Sequence, residues 1–302
     1  MWLDWDPPEG QLEGISVHSH FKPFLRFDET LWNDIIKKMS KVGMNMVVLD
    51  LGDGVRYRSH PEIAVENAWS VEKLKMELTK LRDLGLEPIP KMNFSTWHDA
   101  WLGKYEKMVS SDIYYTVCSD LITEVCDIFD KPRFFHLGMD EEYEAEIEEM
   151  EQHYKYQFTR KPNIYWHDLY FFLGQVEKSG SRPWTFFDER NPGGAEAIYR
   201  KFPKSVALTA WNYGEKNKFV RNEYKTRAFH EMSDLGFDQI PSGSNISVSE
   251  NFEVLVDYCI DNVNPEYLLG FMMAPWQPTL ESCRRQHMEA IQQVAEAIDK
   301  FS

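Results

Sequence analysis

The sequence is poor in cysteine and in positive charge, and it contains no long apolar run. Four cysteines among 302 residues are too few for a disulfide framework, so we expect them to be reduced core residues. Lysine and arginine number 33 against 49 aspartates and glutamates, which gives a formal net charge of −16. This charge repels polyanions and therefore argues against nucleic acid and anionic membrane surfaces as partners. No apolar stretch is long enough to span a bilayer.

The sequence also lacks signals for targeting and for division into domains. The first ten residues, MWLDWDPPEG, have neither the basic start nor the apolar segment of a secretion signal. As written, the chain is expected to be cytoplasmic; it would be secreted or periplasmic if a signal peptide has been removed. There is no glycine- and serine-rich linker, low-complexity tract or short repeat. We therefore expect a single domain over residues 1–302.

Apolar strand-like runs alternate with amphipathic helical stretches, a pattern typical of a parallel sheet covered by helices. Eight strands are predicted, at 14–18, 44–51, 87–94, 133–139, 183–189, 205–211, 237–242 and 267–276. Three of the intervening helices, at 30–43, 70–85 and 165–180, end at glycine, a favoured helix stop. The predicted fold class is therefore α/β, a single (β/α)₈ TIM barrel. An acidic insertion at about 142–162 is interpreted as a solvated helix.

Carboxylates, histidines and tryptophans collect at the predicted strand ends, where barrel enzymes build their active sites. With the amides Asn93 and Gln277, the strand ends offer His18, His20, Asp50, Asp53, His98, His136, Asp140, Glu141, Glu142, Asp188, Glu189, Trp211 and Trp276. Trp184 is the second residue of the fifth predicted strand. Indoles pack on the apolar faces of pyranose rings, and glycosidic cleavage needs a carboxylic acid to protonate the leaving oxygen. The combination favours a carbohydrate substrate.

The segment His136-Leu137-Gly138-Met139-Asp140-Glu141 resembles the His-x-Gly-x-Asp-Glu pattern that ends strand four in the glycoside hydrolase family 20 β-N-acetylhexosaminidases. The similarity continues in order over the first half of the chain, at His20–Pro23, 44–63 and 84–98. In the second half it is restricted to the three tryptophans, which fall near tryptophans of the family's sugar pocket. This resemblance implies a glycosidase acting on a β-linked (N-acetyl)hexosaminide.

The resemblance also implies a role for each site residue. Glu141 would be the general acid and base, and Asp140 would orient the substrate's 2-acetamido group, whose carbonyl oxygen acts as nucleophile with retention of configuration. Negative charge beside Glu141 would keep it protonated. No cofactor and no metal are implied. The residues expected to bind or support the substrate are His20, Asp53, His98, His136, Trp184, Asp188, Trp211 and Trp276.

The sequence departs from the family at several strand ends. The sugar-gripping arginine is Ser19 here, and the third-strand glutamate and aspartate are Lys91 and Asn93. A convincing tyrosine after strand seven is missing. Gln277 follows Trp276 at the position where the family usually has a glutamate. The family's separate N-terminal domain is absent from these residues. The sequence therefore leaves open whether the preferred sugar differs from that of the family. Without acetamido assistance, Asp188 or Glu189 becomes the second carboxylate, about 5 Å from Glu141 for retention or roughly 6.5–9.5 Å for inversion.

Two other functions fit parts of the sequence. His18-Ser19-His20 resembles the His-x-His metal motif of amidohydrolase barrels, so a metal-dependent hydrolase is one alternative. However, no histidine ends strands five or six and no aspartate follows strand eight. A catalytically silent sugar-binding barrel is the other alternative, because a fold does not guarantee activity. The sequence leaves the oligomeric state open.

Overall fold

The computed structural model describes residues 22–142, 159–188, 199–214, 223–246 and 248–301. The chain divides into two compact units. Within the described residues, unit one comprises 22–26, 46–142 and 159–188, and unit two comprises 27–45, 199–214, 223–246 and 248–301. The single domain expected from the sequence stays a prediction.

Unit one contains a parallel sheet in which three neighbouring strands end in register. Its strands are β1 (Met46–Asp50), β2 (Val55–Arg56), β3 (Trp69–Ser70), β4 (Glu87–Lys91), β5 (Phe134–His136) and β6 (Arg182–Phe186). β1, β4, β5 and β6 lie side by side in that order, and β2 pairs with β3. The last residues of β1, β4 and β5 are in register, since Asp50 pairs with Lys91 and Lys91 with His136. The segments that follow these strands therefore emerge at one edge of the sheet.

Seven α-helices are assigned in the described residues. They are α1 (Glu29–Lys41), α2 (Val71–Asp83), α3 (Asp112–Ile128), α4 (Pro162–Lys178), α5 (Glu223–Asp234), α6 (Asn251–Asn262) and α7 (Arg284–Phe301). α1 begins where the Asp28 side chain accepts from the amides of Thr30 and Leu31 at 2.8 and 2.9 Å. Such N-caps satisfy amides that have no partner within the helix. The predicted glycine stops are confirmed at Gly43, Gly85 and Gly180, which have φ values of 87°, 76° and 86°.

Unit two contains shorter parallel strands, β7 (Ala207–Thr209), β8 (Ser242–Gly243) and β9 (Met272–Met273). β8 pairs with β9, and isolated parallel bridges join Leu208 to Gln239 and Gln239 to Leu268. The predicted strands at 237–242 and 267–276 are therefore only partly regular. Phe252 and Val256 of α6 and Ala297 of α7 form a small core against β9.

The predicted α/β class with parallel strands is confirmed. Two sequence-based predictions cannot be compared with the structure: the strand at 14–18 and most of the acidic insertion, residues 143–158, lie outside the described residues. Among the helices assigned here, none is both long and apolar enough to cross a membrane.

The aromatic core of unit one gives a first prediction. Phe172 of α4 is fully buried and stacks on Phe94 with ring centroids 4.7 Å apart. Phe172→Ala should lower the free energy of unfolding by about 3–5 kcal/mol, because it removes apolar burial and leaves a cavity. Tyr170→Ala, at a position on the same helix that is 43% exposed, should cost about 1 kcal/mol or less. Urea unfolding of both variants measures the difference, and equal losses would contradict this packing.

Candidate active site

A turn of unusual backbone conformation follows β5. Gly138, Met139 and Glu141 have φ values of 70°, 66° and 56°, so three of four successive residues are in the left-handed region. A non-glycine residue in this region costs on the order of 1–3 kcal/mol, and such a conformation persists only where the surroundings enforce it. Two groups of contacts enforce it here, one centred on Asn93 and one on Glu142.

The Asn93 side chain joins the segments that follow β4 and β5. Asn93 lies two residues beyond the end of β4 and is 2% exposed. Its Oδ1 accepts hydrogen bonds from the amides of Ser95 at 3.1 Å and Met139 at 3.0 Å, and its Nδ2 donates to Asp140 Oδ1 at 2.7 Å. A Cβ atom at Gly138 would lie 2.1 Å from Asn93 Oδ1, so only glycine allows this approach.

His98, Asp140 and Glu141, all expected from the sequence to belong to the site, form one cluster. His98 Nε2 lies 3.6 Å from Asp140 Oδ2 and 3.2 Å from Glu141 Oε2. His98 and Asp140 are buried, whereas the Glu141 side chain is 31% exposed. Glu141 is therefore the carboxylate of this cluster that is most open to a ligand.

The second group of contacts is a buried clamp formed by Glu142 and Arg160. Glu142 Oε2 accepts from Arg160 Nη1 at 2.7 Å and from the Thr96 amide at 3.0 Å, and its Oε1 accepts from the Arg160 amide at 3.0 Å. Both side chains are fully buried. The clamp therefore fixes the backbone immediately after Glu141 to the segment that follows β4.

Further buried groups surround Arg160. Its Nε donates to Asp168 Oδ2 of α4 at 2.7 Å, and its Nη2 donates to the Tyr114 hydroxyl of α3 at 3.0 Å. Burial disfavours the charged guanidinium, but Glu142 and the other neighbouring groups hold the pKa of Arg160 well above its ordinary value. Burial also raises the pKa of Asp99 well above its ordinary value, despite the opposing charge of Arg160.

Asp53 and His136 lie at the same edge of the sheet. Asp53 is in the turn Gly52–Gly54 after β1, and burial raises its pKa to about 7. His136 is fully buried, and burial lowers its pKa well below the ordinary value. Its Nδ1 accepts from the Gly138 amide at 3.0 Å, so the neutral ring supports the turn.

The remaining predicted site residues are described within their own units. Trp184 is 1% exposed and packs against His136 with ring centroids 4.8 Å apart, and Asp188 is buried just after β6. In unit two, the Lys225 ammonium lies 4.2 Å from the Trp211 ring centroid, and Trp276 Nε1 donates to the Tyr213 hydroxyl at 3.0 Å. Sugar binding by Trp184, Asp188, Trp211 and Trp276 stays a prediction. His18, His20 and Glu189 lie outside the described residues.

The chemistry of the cluster also fits a metal ion. Within the described residues, His98, Asp140 and Glu141 are the group of histidine and carboxylate side chains that could hold one, with ligand atoms within 4.8 Å of one another. Imidazole and carboxylate donors suit zinc and other divalent metals. The same atoms also suit proton transfer, so the types of donor atom do not distinguish metal binding from acid–base catalysis.

Asn93 and Glu142 lie at predicted strand ends, but the sequence assigns neither of them a catalytic or binding role, and it does not single out Arg160. Glu142 had a local signal, because it follows Asp140 and Glu141 directly. Arg160 had no local signal in the sequence, since it lies 18 positions from Glu142 and contacts it only in the folded chain.

Comparisons with known proteins identify solved structures of similar fold. No family model matches the chain, and no curated protein matches its sequence. A β-N-acetylhexosaminidase from Bacteroides fragilis is 12% identical with a TM-score of 0.59, and the match covers 87% of this chain and 62% of that one. An inactive mutant of a family 20 exo-β-N-acetylglucosaminidase from Vibrio harveyi is 13% identical with a TM-score of 0.61, covering 92% and 55%. A mutant Streptomyces plicatus β-hexosaminidase in complex with its product GlcNAc is 13% identical with a TM-score of 0.63, covering 90% and 60%.

The buried clamp gives the second prediction. Arg160→Met should lower the free energy of unfolding by about 3–5 kcal/mol, because it leaves buried carboxylates without their partner. Arg284→Met is the matched control: Arg284 also pairs with two carboxylates, Glu281 and Asp34, but its side chain is 34% exposed. The control should cost about 1 kcal/mol or less. Chemical denaturation measures both, and a loss for Arg160→Met no larger than that of the control would contradict the clamp.

The matched structures are longer than this chain, which spans between about half and two thirds of their length. At 12–13% identity the comparison establishes similarity of fold. The protein has a mixed α/β fold similar to that of the family 20 β-N-acetylhexosaminidases.

Proposed function

We propose that this protein is a (β/α)₈ glycoside hydrolase that cleaves a β-linked (N-acetyl)hexosaminide with Glu141 as general acid and base. The observation that carries the proposal is the placement of a partly exposed Glu141 beside buried Asp140 and His98. The similarity of fold to β-N-acetylhexosaminidases supports it.

The contacts around Asp140 and Glu141 suit different roles for these two carboxyl groups. Asp140 accepts a hydrogen bond from Asn93, and a bond to a carboxylate favours its ionised form. An ionised Asp140 disfavours ionisation of neighbouring Glu141, which keeps a proton available for the leaving group. Asp140 then orients the acetamido group and stabilises the positive charge that develops on it.

In the proposed reaction, protonated Glu141 donates its proton to the glycosidic oxygen. The acetamido carbonyl oxygen attacks C1 as the glycosidic bond breaks, and an oxazolinium ion forms. Glu141, now ionised, accepts a proton from water as the water oxygen attacks C1 and opens the oxazolinium ring. Two displacements at C1 give retention of configuration and regenerate protonated Glu141. His20, Asp53, His98, His136, Trp184, Asp188, Trp211 and Trp276 are proposed to bind or support the sugar.

A second candidate function is metal-dependent hydrolysis at His98, Asp140 and Glu141, favoured by their mutual proximity. The two functions make opposite demands on these side chains. A metal ligand must be deprotonated, whereas the general acid must carry a proton. Metal analysis of the purified protein and activity after chelation distinguish them: the glycosidase needs no metal, and activity that is lost with EDTA and restored by zinc would favour the hydrolase.

Glu141→Gln tests the general acid. The variant should lose about 10²- to 10⁴-fold in rate on disaccharides, whose leaving groups need protonation. Aryl glycosides with acidic leaving groups should lose less in the glycosylation step. Glu72→Gln, at an exposed surface pair with Arg58, is the matched control and should retain wild-type rates. Near-wild-type rates for Glu141→Gln on every cleavable substrate, with thermal melting unchanged, would contradict the assignment.

Asp140→Asn tests acetamido assistance. The amide keeps the size of the side chain but removes the charge that stabilises the oxazolinium ion, so we expect a loss of about 10²-fold or more on N-acetyl substrates. Any non-acetylated glycoside that the protein cleaves should be affected less. The measurement is kcat/KM on paired acetylated and non-acetylated aryl glycosides. Equal losses on both would argue against acetamido assistance.

A further inference from the structure

Three half-buried aromatic side chains of unit two, Trp211, Tyr213 and Trp276, lie beyond the ends of its strands. Trp211 and Tyr213 follow β7, and Trp276 follows β9. Trp276 Nε1 donates to the Tyr213 hydroxyl at 3.0 Å, so the segments that follow these two strands meet. The Lys225 ammonium of α5 lies 4.2 Å from the centroid of the Trp211 ring. We call these four side chains the aromatic edge of unit two.

The backbone that carries the aromatic edge is held from within the unit. Asn251, the first residue of α6, is fully buried, and its Nδ2 donates to the carbonyl oxygens of Asn212 and Gly214, both at 2.8 Å. These two bonds fix the residues on either side of Tyr213. Trp276 has a φ of 48°, a left-handed conformation that a non-glycine residue keeps only where its surroundings enforce it. Because such strain is concentrated at functional sites, the aromatic edge has the features of a binding surface.

The chemistry of the aromatic edge suits a sugar that carries a negative charge. Indole and phenol rings pack on apolar groups such as the C–H faces of pyranoses. An ammonium group is attracted to the face of an indole, and its three N–H donors also bind anionic oxygens strongly. A ligand that places its ring against the aromatic side chains and an anionic oxygen against Lys225 satisfies both kinds of group.

We propose that the aromatic edge is a subsite for a saccharide with one carboxylate or sulfate group, and that Lys225 selects this group. The inference rests on the proposed function in taking a carbohydrate as the ligand. A neutral sugar that stacks on the face of Trp211 under Lys225 has to displace the ammonium group, whereas an anionic sugar pairs with it. The formal net charge of −16 disfavours chains with many negative charges, so the expected ligand carries a single one.

Binding of three matched disaccharides tests this selectivity. The probes are neutral N,N′-diacetylchitobiose, the same disaccharide with one 6-O-sulfate, and glucuronosyl-N-acetylglucosamine, whose charge is a carboxylate. Calorimetric titration uses the Glu141→Gln variant, so that the probes are not consumed. We expect at least one anionic probe to bind about tenfold more tightly than the neutral one, as for one hydrogen bond to a charged group. The tighter of the two anionic probes identifies the preferred group, and high salt should reduce the preference.

Substitutions of Lys225 assign the preference to its charge. Lys225→Met and Lys225→Gln should weaken binding of the anionic probe about tenfold and change that of the neutral probe by less than about twofold. Lys225→Arg should keep the preference, because it keeps the charge. Lys204→Met is the matched control: the Lys204 ammonium also lies over an aromatic ring of unit two, 3.2 Å from the Phe237 centroid, but Lys204 precedes β7. This control should bind every probe as the parent protein does, and thermal melting checks that each variant is folded.

The outcomes separate this inference from the proposed function. Equal affinity for all three probes, no binding of any probe, or a preference that survives both neutral substitutions of Lys225 would overturn the inference. Hydrolysis of neutral N-acetyl-β-hexosaminides by a wild-type protein without this preference would leave the proposed function standing alone. A preference that depends on Lys225, in a protein that cleaves no glycoside, would support the inference while the proposed function fails.

Discussion

The left-handed turn from Gly138 to Glu141 is the constraint on which the candidate site depends. Its conformation is unfavourable for Met139 and Glu141, so it must be held by neighbouring groups. Asn93 holds one side of the turn through the Met139 amide and Asp140, and the Glu142–Arg160 clamp holds the backbone beyond it. Strain and buried polar contacts together present Glu141 at the edge of the sheet.

Electrostatics then gives neighbouring carboxyl groups different properties. Glu142 is buried against Arg160, Asp140 is bound by a neutral amide, and Glu141 is partly exposed beside both. Asp99, in contrast, is buried with a strongly raised pKa. These four acidic side chains of unit one thus have four environments, and among them Glu141 is the most exposed.

Much of the fold could be predicted from the sequence because its signals are local. Apolar runs identified β1, β4, β5 and β6, and glycines marked the ends of three helices. The motif from His136 to Glu141 marked the end of β5. The sequence could not reveal the clamp, because Arg160 and Glu142 meet only in three dimensions. It also could not reveal the contacts of Asn93, which depend on a close approach to Gly138.

Direct observation of product stereochemistry tests the central claim that this site is a retaining, acetamido-assisted glycosidase. Hydrolysis of an aryl N-acetyl-β-glucosaminide by the wild-type protein can be followed by proton NMR before mutarotation is complete. We predict that the β-anomer of N-acetylglucosamine forms first and that the α-anomer follows only by mutarotation. Initial formation of the α-anomer, or no hydrolysis of any N-acetylhexosaminide, would contradict this claim.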